Sequence, residues 1–121
     1  MKKNAIYRHG DMIIYKVSDL DGSRKSKNKS KLVVGLGEVT GHSHDIIALE
    51  GSEVFGVYDG EIDITENDLA EMDRLFFEVT GNGAVITHEE HKPIYLEAGK
   101  YLRINQVEFN PFTQELEKVR D

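Results

Sequence analysis

A chain of 121 residues, 39% of them hydrophobic, is long enough for one domain with an ordinary core and needs no covalent staple. The absence of cysteine excludes a disulfide framework, thiolate metal ligands and a cysteine nucleophile, and a net charge of −7 argues against general nucleic-acid binding. No apolar run approaches the ~18 residues that cross a bilayer, and no apolar stretch follows Met1-Lys2-Lys3-Asn4 as a secretory signal would, so a cytoplasmic protein without membrane contact is expected.

Glycine is frequent, helical periodicity is rare, and β-branched pairs recur between turn signals. The turn His9-Gly10-Asp11 launches a first strand over 12–17. Residues 19–31 are polar and basic without an apolar anchor, and read as a mobile loop whose charge is solvated. A strand over 32–40 is interrupted at Gly35 and Gly37, the mark of a bulge or a close approach. Short strands at 46–49 and 54–58 flank the turn Glu50-Gly51-Ser52, and Asp59-Gly60 signals a hairpin that would turn Ile62 and Ile64 inward.

One or two helical turns fit between Glu66 and Leu75, where Thr65 with Asp68 can cap the start. Leu75, Phe77 and Val79 alternate as a strand, and Gly81-Asn82-Gly83 turns the chain into 85–87. Strands at 94–96 and 101–109 follow, Pro111 ends regular pairing, and 112–121 is expected as an exposed tail. Eight to ten strands over residues 1–121 predict an all-β single domain: a sandwich, jelly roll or small barrel with at most one short helix.

Four of the five histidines fall in two clusters. The segments 39–50 and 86–97 align at an offset of 47 residues, with Thr40 on Thr87, His44 on His91, Ile47 on Ile94, Leu49 on Leu96 and Glu50 on Glu97. The pattern suggests two related hairpins building one site. Histidine is the commonest metal side-chain ligand, so His42, His44, His88 and His91 are the candidate ligands of a divalent ion. Zinc is the first choice, and nickel, iron or manganese fit if water and carboxylate complete the shell.

His42 and His44 are two apart and share a strand face, whereas His88 and His91 converge only if Glu89-Glu90 bulges or turns. Asp45, Glu89 and Glu90 can orient the imidazoles or serve as a base for bound water. The plainer alternative is that the histidines are surface groups or satisfied core groups. No phosphate loop or dinucleotide fingerprint is present, and no catalytic residue or substrate can be named.

Three stretches carry a family resemblance: His9-Gly10-Asp11-Met12-Ile13-Ile14, Gly37-Glu38-Val39-Thr40-Gly41-His42-Ser43-His44, and Thr87-His88-Glu89-Glu90-His91 continuing through Lys92-Pro93-Ile94-Tyr95-Leu96-Glu97-Ala98-Gly99-Lys100-Tyr101. With Gln106-Val107-Glu108-Phe109-Asn110-Pro111 and Val119-Arg120-Asp121, the chain resembles an uncharacterised group of small bacterial and phage proteins, which implies no activity. His42, His44 and Glu50 partly resemble the first motif of cupins, metal-binding β-barrels, although the spacing to Glu50 is longer. The first half also resembles ten-kilodalton co-chaperonins, without the apolar tripeptide in the loop that would dock on a chaperonin. Three readings follow: a small metal-binding protein, an interaction or phage-assembly component with interface histidines and a homo-oligomeric state, or a cupin-like metalloenzyme.

Overall fold

In the computed structural model, Leu75, Phe77 and Val79 lie on one buried face while Arg74, Phe76 and Glu78 are more exposed, as their alternation predicts. The structure describes residues 4–9, 12–36, 43–60, 65–88, 91–105, 107–110 and 115–118. In chain order the strands are β1 (Asn4–His9), β2 (Met12–Val17), β3 (Arg24–Lys25), β4 (Lys31–Leu36), β5 (Ser43–Ala48) and β6 (Val54–Tyr58). Helix α1 (Glu66–Glu71) precedes β7 (Arg74–Val79), β8 (Ala84–His88), β9 (His91–Leu96), β10 (Gly99–Asn105), β11 (Val107–Asn110) and β12 (Glu115–Lys118).

The architecture is an all-β sandwich with no closed barrel among these strands. One sheet has six strands in the order β1-β2-β10-β7-β6-β3, and the other has four in the order β4-β5-β8-β9. Neighbours in both are antiparallel. The core lies between them. Ile14, Leu75, Phe77 and Tyr101 come from the larger sheet, and Leu32, Val34, Ile46 and Ile86 belong to the smaller. Phe77 and Tyr101 stack at 5.1 Å. The four-stranded sheet consists of two consecutive hairpins, β4-β5 and β8-β9, joined through β5 and β8. Each hairpin has one register shift, at Val33/Gly35 and at Ile86/His88. The bulge expected near Gly35 is therefore present.

Several expectations change. β1 precedes the first anticipated strand and pairs with β2 through His9 and Met12. The basic segment 19–31 carries β3 on the edge of the larger sheet, where Arg24 faces Tyr58 and Lys25 faces Val57. Its anchor is polar: buried Ser26 donates its amide to the Gly56 carbonyl at 2.8 Å and accepts the Gly56 amide on its hydroxyl at 2.8 Å. The stretch expected as one strand over 101–109 divides between β10 and β11. β12 pairs with β11, so pairing resumes after Pro111 within the segment expected as a tail. The anticipated inward positions Ile62 and Ile64 lie outside the described residues.

Helix α1 begins where the capping residues predict. Thr65 accepts the Asp68 amide at 3.1 Å. Its C-terminal carbonyls are met from the six-stranded sheet. Fully buried Arg103 donates Nη2 to the carbonyls of Leu69 at 3.1 Å and Ala70 at 3.0 Å, and Nη1 to that of Met72. Burial pulls the Arg103 guanidinium down to about 10 and nearby Asp73 works the other way, which leaves it charged at neutral pH.

Candidate functional site

The two sheets are stacked with matching ends. One end holds the turns 49–53 and 80–83 and the ion pair of Lys16 Nζ with Glu97 Oε1 at 2.6 Å. That exposed pair holds the Glu97 carboxyl below the ordinary carboxylate range. The other end collects the histidine positions. His9 closes β1 opposite Met12, and His44 lies opposite Gly35 where β5 begins. A Cβ built on Gly35 would stand 2.9 Å from Met12 Sδ and 3.4 Å from His44 Cδ2, so the two sheets meet at this place.

The register brings the candidate ligands to one end of three neighbouring strands. β5 pairs with β8 as far as Asp45 and Thr87, the residues next to His44 and His88. His88 and His91 are then direct partners across the β8-β9 hairpin. Pairing across the β8-β9 hairpin thus brings the two positions together despite their three-residue spacing. Directly opposite positions of an antiparallel pair have Cβ atoms about 4.5–5.5 Å apart.

His44 is the candidate ligand whose side chain is described. It is 6% exposed and points between the sheets, as Ile46 does. Tyr7 reaches it from β1, with Oη 3.4 Å from Nδ1 and the rings edge to face at 6.3 Å between centroids. Burial raises the Tyr7 phenol above its usual value, so it remains neutral at physiological pH. For His9, His88 and His91 the backbone alone is described, and His42, Glu89 and Glu90 lie outside the described residues. Among the described residues no three His, Asp or Glu side chains form a metal-ligand group.

Asp45 does not serve as a partner for His44. Adjacent strand residues point to opposite faces, and Asp45 Oδ1 accepts from the Ser43 hydroxyl at 2.7 Å on the outer side of the sheet. Glu50, which completed the cupin-like echo, is an exposed turn residue beyond the far end of β5. Strand rise separates it from His44 by on the order of 15–20 Å, too far to share an ion. Sequence reasoning also missed two neighbours, His9 and Tyr7. His9 was visible as a turn residue, but only the pairing of β1 with β2 and the stacking of the sheets bring it to the histidine end.

The family model described as "Domain of unknown function (DUF8820)" matches residues 8–106. The chain belongs to that family. No curated protein and no solved structure matches it. All five histidines of this DUF8820 chain lie within the matched span, as do both hairpins of the four-stranded sheet, whereas β11 and β12 fall beyond it.

Proposed function

We propose that the histidine end of the sandwich is a divalent-metal centre, with His44, His88 and His91 as ligands, His42 as the fourth, and zinc as the first choice of ion. The observation that carries this reading is the register: His88 pairs with His91 across β8 and β9, and the β5-β8 pairing ends at Asp45 and Thr87, which brings His44 to the same end of the sheet. Four imidazoles would close a tetrahedral site and clamp the β4-β5 hairpin to the β8-β9 hairpin, a structural role. If one imidazole stays off the ion, the open position takes water, and Glu89 or Glu90 is the nearest base in sequence. Elemental analysis of untagged protein is the test. About one zinc per chain is expected, lost in His44→Ala and in His91→Ala. Protein that takes up neither zinc, nickel, iron nor manganese sinks the reading.

A second reading rests on a different observation. Ile47, Leu49, Ile94 and Tyr95 are large apolar residues left exposed on the four-stranded sheet or just after it. Register sets Ile47, Val85 and Tyr95 side by side across β5, β8 and β9. Such a row suits contact between copies of the chain. Light scattering is expected to report an oligomer that Ile47→Glu dissociates; a wild-type monomer at high concentration excludes it.

A further inference from the structure

The two sheets do not close on each other equally at both sides. Beside β4 and β6 the gap is filled. Leu32, Leu69 of α1 and Leu75 crowd Gly56, where an added Cβ would find them 3.3–3.8 Å away, and the Lys29 carbonyl accepts the Val54 amide at 2.8 Å. At the other side the sheets end in β1 and β9, and a cavity of about 280 Å³ opens between these edges. Buried Leu96 and Tyr101 form its floor, and Ile6 and Ile94 form its walls. Ile94 stands opposite buried Ile86, on the face turned to the other sheet, yet it is 41% exposed. Ile6 is the residue that the bulge of β1 inserts between Ala5 and Tyr7, and it is 40% exposed. Apolar side chains thus enter the gap from both edges and stay partly open to water.

Neither edge favours an added strand. The bulge interrupts β1, Pro93 gives β9 one donor fewer, and the Tyr101 hydroxyl already donates to the Glu97 carbonyl at 2.6 Å. The cavity therefore suits a compact ligand. By the measure that a cavity of about 150 Å³ holds one benzene, about 280 Å³ takes roughly eleven non-hydrogen atoms. At its mouth the Lys16 ammonium and the Glu97 carboxylate lie 2.6 Å apart, both exposed. A ligand with a single charge takes one of them and strips the other of its partner. A ligand with both charges exchanges partners and leaves neither unpaired. From this geometry we infer that the gap between β1 and β9 binds a free α-amino acid with an apolar side chain, of leucine to phenylalanine size. Its side chain lies between Ile6 and Ile94 over Tyr101, its carboxylate on Lys16 Nζ and its ammonium on Glu97 Oε1. The inference is independent of the metal centre, which belongs to the opposite end of the sheets.

The test is titration of the nitrogen-15-labelled full chain with L-leucine and L-phenylalanine, read from amide shifts. Saturable shifts are expected at Ile6, Lys16 and residues 94–97. Isocaproate and isoamylamine, which are leucine without its ammonium and without its carboxylate, are expected to bind at least about 10-fold more weakly, as is glycine. Lys16→Met, Glu97→Gln and Ile94→Ser should each lower leucine affinity about 5–10-fold, whereas Ile47→Glu on the outer face of β5 leaves it unchanged. All four positions are exposed, so these substitutions leave the core intact. No saturable shift with either amino acid, isocaproate or isoamylamine bound as tightly as leucine, or an unaffected Ile94→Ser would each overturn the inference. So would a terminally blocked apolar peptide that outcompetes leucine, which marks strand addition, or shifts along β1 and β9 that grow with protein concentration alone, which mark a contact between copies.

Discussion

Arg103 is the residue whose role is least expected from its neighbours in the chain. Strand alternation sets it on the same face as Tyr101, an interior position that a cation occupies only with partners. Its partners are the carbonyls at the end of α1, which no residue near the helix in sequence could have announced. The guanidinium fork reaches them from two separate nitrogens, Nη1 and Nη2, whereas a lysine ammonium would have to donate from a single one. Arg103→Met therefore leaves buried carbonyls without donors and is expected to cost about 3 kcal/mol in urea unfolding. Arg103→Lys should recover part of that loss; a variant with methionine as stable as the wild type would mean that water replaces the guanidinium.

Turns and hairpins were the elements most open to sequence reading, because glycine and capping residues act locally. Gly81 sits at φ +72°, and a Cβ there would come within 2.5 Å of the Gly51 carbonyl oxygen. Beside it, Asn82 donates its amide to Ser52 Oγ at 2.6 Å and its side-chain amide to the Glu50 carbonyl at 3.0 Å, so the two turns at this end lock together. Gly81→Ala is expected to destabilise by at least ~2 kcal/mol. Gly99→Ala should cost far less, because its nearest contact is the flexible Lys16 side chain, with Cε 3.1 Å away. Thermal unfolding of the two variants separates these outcomes, and equal losses would refute the distinction. The glycines that follow the two copies of the internal repeat differ: Gly51, after the first, is a left-handed turn residue at φ +77°, whereas Gly99, after the second, opens β10. The aligned His44 and His91 nevertheless both stand on the second strand of a hairpin, at its second and first residues.

For the molecule as a whole, the proposed centre joins two hairpins of one sheet and, through Tyr7, the facing sheet. A ligand that binds only the folded state at 100 times its Kd stabilises by about 2.7 kcal/mol, which for a domain of this size raises Tm by on the order of 10 °C. Zinc is expected to produce such a shift in the wild type, reversed by chelator and absent in His44→Ala; no shift at saturating zinc would count against a clamp. Composition, alternation and turn residues were enough to determine an all-β fold, the helix start at Thr65, and the interior face of Leu75, Phe77 and Val79. Each of these follows from forces acting within a few residues. Which strands become neighbours depends on burial summed over the entire chain. Only the tertiary structure therefore decided that His88 pairs with His91 at the same end of the sheet as His44, that the Asp45 carboxylate turns to the Ser43 hydroxyl, and that Tyr7 approaches from the opposite sheet.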